Sequence, residues 1–207
     1  MNMKKISAVL TLMLLAVAPL SARTALELFV DAPDGIVPLL GHAARMDMAD
    51  YHRYNLPTPT ENELGGGSRI ADSSEGSLLV EMSPSSSVQF GVLPLRGDTL
   101  AVVIETVLTP QSDSSIRFYR VSDWTEVNQR NSPVGKADFL PAGVSAADVP
   151  LLFAQARFEP EQGVFVFTNT TAGYFHDSDR PEAVASMKQT VKRRFDGKKW
   201  TTVSEER

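Results

Sequence analysis

A chain of 207 residues, 43% hydrophobic and 22% charged, has the make-up of a globular protein, which excludes a disordered, collagen-like or coiled-coil chain and leaves room for one domain or two small ones. A formal charge of −5 speaks against a protein whose task is to grip phosphate backbones, so no nucleic-acid partner is expected. With no cysteine, thiolate metal sites, cysteine nucleophiles, disulfides and a lipidated cysteine anchor are excluded.

Residues 1–22 read as a secretory signal peptide. Lys4 and Lys5 give the positive start, Ile6 to Ala18 is almost wholly apolar, Pro19 breaks the run, and Ser21 and Ala22 suit a cleavage site. The apolar run falls short of the roughly 20 residues a bilayer core needs. Cleavage near Arg23 removes two lysines and no acid, which leaves a net charge of −7. A soluble periplasmic or secreted protein is expected, with no membrane insertion after cleavage.

Residues 23–128 read as an N-terminal α+β half. The segment Thr24–Asn55 predicts a helix: Asp31 or Asp34 can cap its start, Pro38 falls in its first turn, and apolar residues recur from Ile36 to Tyr51 with Arg45, Asp47, Asp50 and Arg53 largely on the other face. Leu56-Pro57-Thr58-Pro59 stops it, and Gly65-Gly66-Gly67 extends the break into a mobile loop. From Ser68 the period becomes two. Ile70, Leu78, Val80 and Met82 alternate with polar partners. Val88–Leu95 and Thr99–Thr109 form a hairpin about Gly97-Asp98, Ile116, Phe118 and Val121 mark another strand, and Trp124–Val127 a short one.

Residues 129–149, with Pro133, Gly135, Pro141 and Gly143, read as a linker carrying a short helix near Ala146–Val149. Residues 150–207 read as a C-terminal β-rich half that can pack as one domain with the first. Leu151–Phe158 and Val164–Thr171 make a hairpin around Pro160–Gly163. Pro181–Met187 is a short helix with Asp179 as its cap, and Val191–Phe195 and Lys198–Val203 pair around Asp196-Gly197. Trp124-Thr125-Glu126-Val127 echoes Trp200-Thr201-Thr202-Val203, each preceded by an aromatic five residues earlier (Tyr119, Phe195), which suggests a two-fold internal duplication.

The expected fold is therefore α+β: antiparallel sheet from long hairpins, with an N-terminal helix and short helices on one face. Phe90, Val92, Val103, Phe118 and Trp124 should share one core, and Phe153, Phe165, Phe167 and Trp200 a second or its continuation.

Chemistry is harder to find. His42 and His52 lie ten residues apart on nearly opposite faces of a helix and cannot jointly hold a metal. His176, in Tyr174-Phe175-His176-Asp177-Ser178-Asp179, has alternating aspartates but lacks the glycine and distal glutamate of an EF-hand loop. There is no Gly-x-Ser-x-Gly, and Ser83–Ser87 reads as a bend. Glu81, Glu105, Asp123 and Glu126 could supply paired carboxylates, although solvent-facing positions are the default. Arg96-Gly97-Asp98 spells an adhesion tripeptide at a hairpin tip, where turn chemistry accounts for it. Asn169-Thr170-Thr171 matches an N-glycan acceptor relevant only in a eukaryotic secretory pathway. No catalytic residue, metal or cofactor is assigned. The candidate binding surface is a basic patch, Lys188, Lys192, Arg193, Arg194, Lys198 and Lys199, set against an acidic chain. A solvated edge hairpin explains the same residues.

Three stretches together carry a resemblance to a known family: Val30-Asp31-Ala32-Pro33-Asp34-Gly35-Ile36-Val37-Pro38-Leu39-Leu40 with Arg45–Tyr51, Thr106–Trp124, and Phe195-Asp196-Gly197-Lys198-Lys199-Trp200. Together they are similar to an uncharacterised domain-of-unknown-function family of exported proteins from gut and oral Bacteroidetes. That resemblance implies an α+β fold and an envelope location, and supplies no activity. It also implies O-glycans at Asp-Ser/Thr-apolar sites, a pattern that Asp98-Thr99-Leu100 matches.

Three functions follow as expectations. The first is a non-catalytic envelope module binding a protein or glycan partner. The second is a hydrolase of envelope or dietary polymers, needing two acids, or His176 with a Ser and an Asp, converging in a cleft. The third is an inhibitor or chaperone of a secreted enzyme, marked by an exposed apolar patch.

Overall fold

A computed structural model describes residues 23–203, so the expected signal peptide, residues 1–22, lies outside the described residues. The chain begins with helix α1, Ala25–Asp31, whose start is closed by a capping box: Thr24 Oγ1 accepts from the Glu27 N–H, and the Glu27 carboxylate accepts from the Thr24 N–H. The single helix predicted over Thr24–Asn55 is two helices. Pro33, Gly35, Pro38 and Gly41 fall between them and break the hydrogen-bond ladder, so helix α2 starts only at His42 and runs to Arg53. Arg45, expected on a polar face, is fully buried. Its guanidinium donates to the carbonyls of Val30 (3.3 Å), Leu40 (2.5 Å) and Ala32 and to the Asp34 carboxylate (3.1 Å). One side chain thus serves carbonyls left over where α1 ends, Val30 and Ala32, and the Leu40 carbonyl just before α2.

Six strands form the first sheet, each antiparallel to the next in chain order: β1 Thr60–Glu61, β2 Gly67–Ser73, β3 Ser77–Ser83, β4 Ser86–Leu95, β5 Asp98–Val107 and β6 Asp113–Arg120. Gly97, at φ +83°, makes the tight β4–β5 turn that its sequence predicts. The loop expected to be mobile is pinned by buried Asn62. Its Oδ1 accepts from the Leu64 and Gly66 N–H groups, and its amide donates to Ser68 Oγ and the Met82 carbonyl. Strand alternation gives the sheet two buried faces. Leu78, Val80, Phe90 and Val103 face α1 and α2, where Leu28, Phe29 and Leu40 complete the cluster. Leu93, Val102, Ile104 and Phe118 face the other way.

That second face is covered by a four-stranded antiparallel sheet: β7 Ala154–Glu159, β8 Val164–Asn169, β9 Thr190–Phe195 and β10 Trp200–Thr202. Phe118 stacks on Phe195 at 4.0 Å between ring centres, with Phe165 and Trp200 around it. Phe118, expected beside Phe90 and Trp124, thus belongs to the inter-sheet core, because its position on β6 is one step out of phase with Tyr119. The fold is mostly antiparallel sheet with few short helices, in three layers.

Residues 129–149 hold a short helix, α3 Lys136–Phe139, and a 3₁₀ turn at Ala146–Asp148. Phe139 is fully buried in the inter-sheet cluster. Between β8 and β9, helix α4 spans Glu182–Ala185; Pro181, not Asp179, is its N-cap. The repeated tetrapeptides close differently: Trp200 pairs with Phe195 in a ladder, whereas Trp124 sits at φ +58° in a turn and Tyr119 bridges Glu126. The expected strand Trp124–Val127 is reduced to that one bridge, since the residues before it are spent on the turn.

Strand β7 is the edge of the second sheet, yet its N–H groups are occupied. Asp113 Oδ1 accepts from Ala154 N–H (3.0 Å), Ser114 Oγ from Ala156 N–H (2.9 Å) and Gln89 Oε1 from Phe158 N–H (3.0 Å). The Gln89 amide also donates to the Phe158 carbonyl (2.9 Å), so the side chain reproduces a ladder pair. Gly91 lies beside it; a Cβ there would stand 2.5 Å from Phe158 Cδ1, which is why the sheets can approach this closely.

Candidate functional site

Two features stand out, at opposite ends of the β4–β5 hairpin. The first is the basic patch, which the structure divides. Arg193 points inward and is buried; it pairs with Asp138 and donates to the Pro133 carbonyl (3.1 Å) and to Thr202 Oγ1, so it is structural and not part of an exposed surface. The cause is strand phase: Arg193 shares its face with Phe195. Lys188 precedes β9, at the end away from the β9–β10 turn. Lys192 and Arg194 are exposed on the outward face, and Lys198 and Lys199 form the exposed turn. The Asp196 carboxylate accepts from the Lys198 and Lys199 N–H groups, both at 2.9 Å, and these bonds hold it below the usual carboxylate range.

The second feature is a cavity of about 560 Å³ at the far end of the hairpin. Ile36, Val37 and Leu39, from the turn between α1 and α2, line it together with Met82, Val88 and Val107 from the first sheet and Phe153 from the approach to β7. Ser86, Ser87, Ser115 and Gln111 supply hydroxyl and amide groups at its rim. Its carboxylates are engaged. Glu105 pairs with Arg117 at 2.8 Å, and Asp113 accepts from β7. Ser114, also in the wall, bonds Thr106 Oγ1 (2.8 Å) and the Ala156 N–H. The arrangement can bury apolar surface and hydrogen-bond what lies beside it. Sequence reasoning missed the cavity, which draws on segments up to 117 residues apart in the chain (Ile36 to Phe153); the only local signals, Pro38 and the serine-rich bend, read as turn chemistry.

A family described as "Protein of unknown function (DUF3256)" matches residues 17–200. The chain belongs to this family. The DUF3256 chain also matches the solved structure of a domain of an uncharacterized protein from Porphyromonas gingivalis W83, at a TM-score of 0.69 and 19% identity, over 87% of this chain and all of that one. At that identity the likeness is one of fold. No curated protein matches. Membership of a family of unknown function, with a structural neighbour from a member of the Bacteroidetes, agrees with the coarse form of the resemblance seen in the sequence.

The other candidates of the DUF3256 chain are dispersed. Glu81 and Glu105 lie on opposite faces of the first sheet, and Glu81 pairs with Arg69 at 2.6 Å. Asp123 accepts from the Thr125 N–H in a turn, a bond that lowers its pKa. Glu126 is the bridge partner of Tyr119. His42, His52 and His176 are exposed, and Asp177 beside His176 pairs with Arg180 at 2.7 Å. Asp98 of the adhesion tripeptide is bound by Arg120, and Thr99 of the O-glycan pattern is half-buried. Asn169, of the N-glycan pattern, is buried. Among the described residues no helix is long and apolar enough to cross a membrane.

Proposed function

We propose that the protein is an exported binding module without catalytic machinery, and that it seats an apolar part of a protein partner in the cavity at the β5–β6 end. The single observation behind this reading is the chemistry of that cavity: apolar walls, a rim of serine hydroxyls, and carboxylates already committed to Arg117 and to the β7 backbone. A hydrolase would need an acid and a base free to act on one bond. Half-exposed Val107 offers a first point of contact. Lys4, Lys5 and the apolar run to Ala18 support export to the periplasm or beyond.

Photo-crosslinking tests the reading. A photoreactive residue at position 107, in envelope preparations of the native host, should give one stoichiometric protein adduct, absent when the residue is placed at exposed position 46. Ser87→Trp, which fills the cavity, should abolish the adduct while leaving the thermal midpoint within a few degrees. An adduct that survives Ser87→Trp, or none at all, overturns the proposal. Capture of a secreted enzyme would make the module its inhibitor or chaperone.

A further inference from the structure

Among the described residues every arginine sits in an ion pair except three: Arg96, Arg130 and Arg194. All three lie at one end of the molecule, with Lys198 and Lys199 among them. The β4–β5 tip carrying Arg96 abuts the β9–β10 turn, since Leu95 Cδ1 lies 2.8 Å from where a Cβ of Gly197 would be. The Arg130 N–H donates to the Lys198 carbonyl at 2.9 Å. Arg194 and Lys192 project from the outward face of β9, two residues and so about 7 Å apart. Of the acids nearby, Asp98 is occupied by Arg120, Glu159 by Arg157 and Asp196 by its own turn; Glu161 is exposed next to Gln162, whose carbonyl accepts from Arg194 at 3.5 Å, and is in no ion pair. Six cations from three separate segments thus face solvent together in an acidic chain.

We infer that this end is a binding surface for an anionic polysaccharide, gripped through its carboxylate or sulfate groups. Unpaired guanidinium groups suit such oxyanions because their forked donors match them in a plane. A lipid surface fits less well, because a peripheral anchor also buries apolar side chains. The exposed large apolar residues, Met46, Tyr54, Leu56, Leu64, Val107 and Tyr174, all lie in other segments. Single-stranded nucleic acid would want exposed aromatic platforms, whereas Phe195 and Trp200 here are buried. The inference is independent of the cavity and its protein partner.

The test uses residues 23–207 on immobilised polygalacturonate, with neutral dextran as control. Retention is expected on the polygalacturonate alone, falling steeply between 50 and 300 mM salt. Lys198→Glu with Lys199→Glu should weaken binding about tenfold, and Lys192→Glu with Arg194→Glu similarly. Lys198→Gln with Lys199→Gln, which is gentler on the fold, should weaken it less. Lys188→Glu, a charge reversal at the other end of β9, should have little effect, whereas Lys199→Glu alone, an equal change of charge, should weaken binding measurably. Equal loss with Lys188→Glu, no retention on polygalacturonate, or binding to phosphatidylglycerol vesicles in preference to the polymer would each overturn the assignment.

Discussion

Arg45 shows how one residue can hold a junction together. A guanidinium with no exposed surface is accommodated there because three backbone carbonyls and Asp34 accept its hydrogen bonds. Replacing it by methionine keeps the stem's volume and removes every donor, so the Val30, Ala32 and Leu40 carbonyls lose their partner. We expect Arg45→Met to cost about 3 kcal/mol, read as a lower urea midpoint with an unchanged slope. The sequence could not reveal this role. Helical spacing placed Arg45 beside Asp47 and Asp50, and a charged residue on such a face is ordinarily solvated. The partners that bury it belong to a turn whose path depends on tertiary packing.

The elements divide along the same line. Gly97, Gly163 and Gly197 all adopt positive φ at turns, and the hairpins predicted around them are present, because a two- to four-residue turn is a local problem. Which sheet a strand's second face meets is not local, and for that reason Phe118 lies between the sheets and not beside Phe90. The stitching of β7 by first-sheet side chains is equally non-local. Gln89→Leu keeps the volume between the sheets and leaves the Phe158 N–H and carbonyl unpaired. It should cost about 1–3 kcal/mol. Amide hydrogen exchange should quicken at Phe158, with Val102, on the first-sheet side, serving as a control.

At the scale of the molecule, the two tryptophans report on different places: Trp124 packs against the helix-side cluster and Trp200 lies in the cluster between the sheets. We expect Trp124→Phe and Trp200→Phe, each leaving one reporter, to give fluorescence transitions in urea with coincident midpoints after correction for the stability change of each substitution. Corrected midpoints that differ would mean that the layers unfold separately. The candidate site was half legible at this scale. Four of the six basic residues named from the sequence stand on one exposed end, joined by Arg96 and Arg130, which lie some 60 to 100 residues earlier in the chain. The side-chain caps along β7 have a further consequence, for behaviour in concentrated solution. An uncapped edge strand invites the same strand of a neighbouring molecule to add to it, and sheets can then grow without limit. Here β1 has two residues and β10 three, β7 is filled by Asp113, Ser114 and Gln89, and the outer edge of β6 is met by the chain that follows it, where the Val127 N–H donates to the Phe118 carbonyl and the Gln129 amide to the Ile116 carbonyl, so the protein carries its own protection against edge-to-edge aggregation.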